Sequence, residues 1–279
     1  MLQPEGGTPH DALMVRVPLA ECRFLDPRLA ANAERRPIED AVNIPLAELP
    51  QRTYELPPRD VVIPVVGLSP WAERAVAWLT SNGRRAAVQG GFRYADPPRR
   101  MAVVQVGRLW RPSPFLAEVL PQLTPGRALD LGCGTGRDAI FAASWGWQVT
   151  AVDVLPDALE RARKLAGRCA RAIEPIEWRE VDLELAPPTF ESGFDLVFAF
   201  RYLHRPLLGR LAEWLKPGGS LIYETFTTLH RARHGKPARD EHVLLAGELP
   251  ELLAGFEIRH SSEGWRGTAH TARVWAVGR

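Results

Sequence analysis

The stretch from Arg127 to Asp138 reads RALDLGCGTGRD. Ala128, Leu129 and Leu131 make a short apolar run of the kind that forms a buried parallel strand, with Asp130 near its end. The run passes into a loop carrying Gly132, Gly134 and Gly136. Ala139, Ile140, Phe141 and Ala143 follow with the spacing of a helix face. Glycines let a backbone turn tightly and approach a ligand closely. The first N–H groups of the helix then face that ligand with partial positive charge.

Strand, glycine loop and helix in this order open a Rossmann-like unit. A dinucleotide asks for G-x-G-x-x-G so that its pyrophosphate rests on the helix N-terminus. The spacing here is G-x-G-x-G, and Asp130 stands just before it. A carboxylate there repels a pyrophosphate and suits a cationic ammonium or sulfonium. S-adenosylmethionine carries both cations and a small carboxylate for the loop N–H groups. The run ALDLGCGTG resembles motif I of the class I S-adenosylmethionine-dependent methyltransferases, with Asp130, Gly132, Cys133, Gly134 and Gly136 in its cofactor positions. Cys133 is read as a small loop residue and not as a nucleophile, since no local histidine accompanies it.

The rest of the C-terminal part extends this pattern. Gln148 to Asp153 (QVTAVD) is a second strand. Its terminal Asp153, about 20 residues beyond the glycine loop, is placed to accept hydrogen bonds from ribose hydroxyls. Val154 and Leu155 follow as apolar cover for an adenine. Ala158 to Ala166 reads as a helix and Ile176 to Val181 as a third strand. The resemblance implies that Asp182 holds the adenine amino group and that the backbone of Leu183 meets the ring. Phe194 to Phe200 is a central strand, and Phe200 at its carboxyl end joins the cofactor residues. Arg201, Tyr202 and His204 then stand where open parallel sheets bind ligands. His204 is a candidate base, because its ordinary pKa lies near working pH, with helix capping as the competing role. Tyr202 and Arg201 are candidates to orient an acceptor.

A helix is expected over 206–215, then a Pro-Gly-Gly turn at 217–219 whose glycines supply positive φ, and a fifth strand ending near Phe226. Residues 228–241 (TLHRARHGKPARDE) read as a polar loop or lid over the acceptor site, with His230, Arg233, His234 and Arg239 as candidate anion contacts and a solvated surface loop as the favoured alternative. Glu248 to Leu253 gives a last helix. Phe256 to Ser261 and Ala272 to Val277 resemble the antiparallel hairpin that closes the family's seven-stranded sheet. The YETF strand, the GKP loop and the RYLHRP segment resemble the tellurite-resistance-type and related small-molecule methyltransferases.

Before residue 98 the pattern is a smaller α/β one. Arg23 to Arg28 forms a strand ending at Asp26, and Leu29 to Arg35 a helix. Ala41 to Leu46 is an apolar patch. Val61, Val62, Ile63, Val65 and Val66 make a β-branched run that Pro64 is expected to interrupt. Trp71 to Thr80 has a helical period with Ala72, Ala75, Val76 and Leu79 on one face. Ala86 to Val88 is a further strand before Gly90 and Gly91. This order, with Asp26-x-Arg28 and the NIPL segment Asn43 to Leu46, resembles the rhodanese-like domain. The resemblance puts Val65 where that family carries its nucleophilic cysteine, so it implies a domain without sulfur-transfer activity. Cys22, ahead of the first strand, is read as a stray cysteine.

Between the two parts, residues 95–100 (ADPPRR) have a linker's composition. Trp110 and Phe115 after it are placed either at the cofactor or acceptor pocket or in core packing. From this junction the N-terminal part is expected to shape or recognise the acceptor.

Composition narrows the class. The chain has 279 residues, 46% hydrophobic and 24% charged, as in globular proteins of one large or two ordinary domains. A net charge of only +2 does not suggest a polyanion binder, so no nucleic-acid partner is expected. Cys22, Cys133 and Cys169 are too few and too scattered for a disulfide framework or a zinc site, and no metal ligand set is read. No apolar run reaches the ~18 residues of a membrane span, and no signal peptide is evident, so a cytoplasmic address without membrane association is expected.

The expectation is a rhodanese-like domain over 1–98 and a seven-stranded Rossmann-like methyltransferase domain over 104–279, using S-adenosylmethionine to methylate a small-molecule thiol, chalcogen oxyanion or hydroxyl. The alternative is a cofactor-binding regulatory or interaction protein without catalysis. A nicotinamide oxidoreductase is disfavoured by Asp130 and by the missing third-glycine spacing.

Overall fold

In the computed structural model the described residues are 19–95, 106–185 and 190–279. Residues 96–100 of the linker expected at 95–100 and the second domain's start at Val104 lie outside them, as do residues 1–18.

The N-terminal unit runs β1 (Ala20–Glu21), β2 (Phe24–Asp26), α1 (Ala30–Arg35), β3 (Ala41–Asn43), β4 (Val62–Val66), α2 (Trp71–Ser81) and β5 (Arg85–Gln89). Four of these strands form a parallel sheet in the order β3-β2-β4-β5. Ala72, Ala75 and Leu79 of α2 are buried against Ile63 and Val65 of β4, as the helical period requires. The expected interruption at Pro64 does not occur. β4 runs through it to Val66, and the bridge to β2 joins Leu25 to Val65, so the donor missing at Pro64 breaks no bond on that side.

The C-terminal unit begins with β6 (Gly107–Arg108), which pairs in parallel with β1 and so ties the chain's two parts together. Next come α3 (Pro114–Val119), β7 (Arg127–Leu131), α4 (Arg137–Ser144), β8 (Gln148–Asp153), α5 (Pro156–Cys169), β9 (Glu177–Glu180) and β10 (Phe194–Phe200). The chain continues through α6 (Arg205–Leu208), α7 (Leu211–Trp214), β11 (Leu215–Phe226), α8 (Thr228–His234), α9 (Glu248–Leu252), β12 (Glu257–Arg266) and β13 (Ala269–Val277). The seven-stranded sheet has the order β12-β13-β11-β10-β7-β8-β9. β13 is antiparallel to both β11 and β12, while the other pairs are parallel. The order reverses between β10 and β7, beside β8, so the carboxyl ends of β7, β8 and β10 meet at one edge of the sheet. In open α/β sheets that edge is where ligands bind.

Three expectations are corrected here. The single helix over 206–215 is two short helices, α6 and α7, with Gly209 at the break, and the pairing of Leu215 with Phe194 draws that residue into β11. The Pro-Gly-Gly segment is not a turn ahead of the strand but an irregularity within β11, where pairing skips from Leu215 to Ser220. Only Gly218 there has positive φ, at 78°. Residues 228–234 are the helix α8 and not a loop.

Candidate functional site

The glycine loop leaves β7 and turns into α4 through three left-handed residues, Gly132 (φ 70°), Gly134 (53°) and Gly136 (73°). Their surroundings differ. A Cβ on Gly136 would lie 2.5 Å from the Trp178 ring and 2.9 Å from Ala162, so this glycine closes helix against sheet. A Cβ on Gly132 would press on the Tyr202 ring at 3.2 Å. Around Gly134 nothing lies within 4 Å. The loop therefore holds open space at its middle residue, beside the edge where ligands bind.

Asp153 controls the loop. One of its carboxylate oxygens accepts from Gly134 N–H at 2.7 Å and the other from Leu155 N–H at 2.9 Å. Hydrogen bonds to an ionised acceptor are the stronger kind. Each oxygen keeps a further lone pair, and those remain for a ribose diol. Cys133 N–H donates to Val152 O at 2.9 Å, which fastens the loop to β8. Burial beside Asp130 and Asp153 pushes the Cys133 thiol up, so it has no thiolate character.

Asp130, in β7 two residues ahead of the loop, is 2% exposed, with Oδ2 lacking a hydrogen-bond partner among the described residues. Burial, then the neighbouring charges of Asp138 and Asp153, hold its carboxyl well above the usual carboxylate range. A buried acid under such pressure stabilises an incoming cation. Asp138 accepts from the N–H and Oγ of Ser113, at 2.6 and 2.8 Å, and is likewise pushed up by burial.

A cleft of about 370 Å³ opens beside Gly132, lined by Asp153, Val154, Val181, Asp182, Leu183, Glu184, Arg201 and Tyr202. It brings together residues that lie far apart in sequence. Val154 gives it an apolar, exposed wall, at 48% exposure, while Leu155, 59% exposed, does not line it. Asp182 accepts from Glu184 N–H at 2.9 Å through one carboxylate oxygen, and Leu183 beside it is buried. Tyr202 packs over Gly132, and its backbone carbonyl accepts from the Tyr223 hydroxyl at 2.6 Å. Its own hydroxyl is buried without a partner among the described residues, and burial pushes the phenol up. Arg201 is exposed and holds a left-handed backbone, φ 60°, at the cleft edge.

Phe200 and His204 are placed differently. Phe200 is half-buried, packing against the core on the α4 side of the sheet. His204 lines a neighbouring cleft of about 340 Å³ with Leu203, Arg205, Pro206, Glu241 and His242, joined to the first at Glu184. It occupies the cap position of α6 but makes no side-chain cap bond, and its Nδ1 is buried without a partner among the described residues. Capping is therefore not its role here.

Other expected site residues are engaged elsewhere. Trp110 and Phe115 are 2% and 1% exposed within a core cluster and line neither cleft. His230 stacks on Phe226 at 4.0 Å and accepts from His270 N–H at its Nδ1. Burial, with His234, Arg201 and His270 nearby, pushes its pKa down. His234 bonds Thr268 O, Arg233 lies over Trp265 and Arg239 pairs with Glu241. Each of these groups has a partner within the protein.

The sequence reading passed over Glu184, Asp138 and Arg137. Asp138 and Arg137 lie within the decisive stretch, and a charged pair opening an otherwise apolar helix was the signal.

Residues 128–219 match the family described as a methyltransferase domain. A probable thiol methyltransferase 2 of Arabidopsis thaliana is 33% identical over 41% of this chain and 53% of its own length. An uncharacterised methyltransferase of Mycobacterium tuberculosis is 39% identical over 36% of this chain and 50% of its own. The chain thus spans about half the length of these two relatives. An uncharacterised protein of Schizosaccharomyces pombe is 24% identical over 88% of this chain and 89% of its own length, so that likeness reaches beyond the C-terminal unit. Among solved structures, TehB from Haemophilus influenzae aligns at a TM-score of 0.49 and 16% identity, over 59% of this chain and 61% of its own. S-adenosylmethionine is the cofactor of the matched class, and open space at Gly134 together with a buried acid, Asp130, whose Oδ2 has no partner among the described residues suits a ligand with a cationic tail. Residues 128–219 of this chain thus form a class I S-adenosylmethionine-dependent methyltransferase domain.

Proposed function

We propose that this protein methylates a small-molecule nucleophile, a thiol, chalcogen oxyanion or hydroxyl, and that the N-terminal unit is a rhodanese-like domain without sulfur-transfer activity. The observation that carries the first part is the combination of open space at Gly134, the Asp153 carboxylate that organises the loop, and buried Asp130 near the end of the strand leading into it. S-adenosylmethionine supplies, when bound, a methyl group already activated on a sulfonium. The chain's residues then have to align and desolvate. Asp153 keeps the loop in its binding shape, Asp130 favours the cationic tail, and Tyr202 covers Gly132. A thiolate or chalcogen anion needs no base. For a hydroxyl acceptor, His204 with its unpartnered Nδ1 is the candidate, because the pushed-up Tyr202 phenol keeps its proton. Small-molecule acceptors are supported by the two modest adjoining clefts and by the name of the Arabidopsis relative.

The second part is supported by the parallel four-stranded sheet and by the Asp26–Arg28 corner. There Arg28 binds the buried Asp26 carboxylate at 2.9 and 2.8 Å, and Asn43 ties both backbones. The cysteine position, Val65, is fully buried. Burial, with Asp40 nearby, pushes the Cys22 thiol up to about 11, which suits neither attack nor persulfide transfer.

Calorimetry with S-adenosylhomocysteine against nicotinamide dinucleotides, then transfer of labelled methyl to thiols, selenite and phenols, tests the proposal. Binding of the first ligand with turnover on any acceptor class is expected. Dinucleotide binding in its place, or cofactor binding with no turnover on any extract, overturns it, and the latter outcome favours a regulatory protein.

A further inference from the structure

The N-terminal unit touches the glycine loop's helix. Arg137 is the first residue of α4, directly after Gly136. Its Nε donates to Tyr54 O at 3.0 Å, and its Nη2 donates to the same carbonyl and to Leu56 O at 3.3 Å. These carbonyls belong to the short turn around Thr53–Glu55. From its own unit, that turn is braced by Arg84, which donates to Pro57 O at 2.7 Å and Thr53 O at 3.2 Å. Buried Glu55 accepts from Arg52 at 2.7 and 2.8 Å, and pairs with Arg168 of α5 at 2.9 Å. The turn is a fixed frame offering carbonyl oxygens to a cation on the cofactor helix.

Burial pushes the Arg137 pKa down, so the charge sits in poorly solvating surroundings and depends on those carbonyls. On the other side of the same helical turn, Asp138 is held by Ser113. Gly136 is wedged between Trp178 and Ala162. With these three restraints, a rotation of the first turn of α4 moves the backbone of 132–136 with it. Binding sites lose affinity steeply when their geometry loosens by tenths of an ångström.

We propose that Arg137 is a positioning residue through which the N-terminal unit clamps the glycine loop, so that cofactor affinity depends on the docked turn 53–56. The proposal rests on the reading that residues 132–136 hold the cofactor. It gives the N-terminal unit a task on the cofactor side, in place of the expected one at the acceptor.

The test titrates full-length wild type, Arg137→Met, Arg137→Lys, Glu55→Gln and Gly134→Ala with S-adenosylhomocysteine by calorimetry, with circular dichroism to verify folding. Arg137→Met is expected to weaken binding about tenfold, about 1.4 kcal/mol. Arg137→Lys, still able to donate to Tyr54 O, recovers most of that loss, and Glu55→Gln weakens binding in the same direction by a smaller factor. Gly134→Ala tests the loop itself. If it loses affinity while Arg137→Met binds as wild type, the clamp is refuted and the loop reading stands. If Gly134→Ala binds as wild type, the loop reading falls and takes the clamp with it. An equal loss in Arg137→Lys and Arg137→Met also refutes the clamp. Should Arg137→Met not fold, unchanged affinity in both Arg137→Lys and Glu55→Gln decides against it.

Discussion

Gly134 and Gly136 are two residues apart and share a left-handed backbone, yet alanine should act mainly on the site at the first and on the fold at the second. Placing a Cβ at positive φ costs roughly 1–2 kcal/mol at either position. At Gly136 the new methyl also meets Trp178 at 2.5 and 2.8 Å and the Ala162 methyl at 2.9 Å, which adds about 1–3 kcal/mol of overpacking. Gly136→Ala therefore destabilises the fold by on the order of 3 kcal/mol, a fall in melting temperature of about 6–12 °C for a chain of this size. At Gly134 nothing lies within 4 Å, so only the backbone cost applies, about 2–8 °C. That methyl fills the space assigned to the cofactor, and S-adenosylhomocysteine affinity should fall at least about tenfold. Thermal melting followed by calorimetry on the two variants separates fold from site. Trp178→Phe in the Gly136→Ala background should return part of the lost stability by shortening the ring. A Gly134→Ala protein that binds like wild type would refute the assignment of that space, and a Gly136→Ala protein as stable as Gly134→Ala would refute the packing argument.

Three further outcomes are expected. Asp130 is ionised only at a cost in the free protein, so its raised pKa lends stability that is lost as pH rises through the folded value. Asp130→Asn should then melt higher than wild type at neutral pH while binding S-adenosylmethionine more weakly, and the wild-type gain in affinity with rising pH should flatten; a melting scan and a pH series of titrations check both. The Arg205–Glu248 pair, at 2.6 and 2.8 Å, holds the post-strand segment to α9 and lowers the Glu248 pKa, so its contribution is present above the unfolded carboxylate pKa and lost as pH falls through the folded one. Glu248→Gln should cost about 1 kcal/mol at neutral pH, since the arginine is partly exposed, and nothing in acid, as read by urea melts at two pH values. His204→Ala should slow methylation of phenols by about a hundredfold and leave thiols nearly unaffected; equal losses on both would remove the base from the mechanism.

Much of the cofactor end was legible because its signals are local. The strand Arg127–Leu131, the loop glycines and the strands 148–153 and 194–200 each follow from a few neighbouring residues, since buried parallel strands read as apolar runs and left-handed turns demand glycine. Local signals failed where pairing across the sheet overrode them. Leu215 carries a helical pattern but is claimed by Phe194, and residues 228–234 look polar enough for a loop yet fold as α8, with His230 stacked on Phe226.

Sequence alone thus determined the class of the C-terminal unit and the chemistry of its loop, because backbone conformation and charge there are set by residues adjacent in the chain. Only the tertiary structure decided which side chains face one another. It put Trp110 in the core, His204 in a second cleft, Tyr202 over Gly132 and Arg137 on the carbonyls of Tyr54 and Leu56. Those contacts join residues as many as 83 positions apart, and no periodicity or motif encodes a distance that only the packing of two sheets fixes.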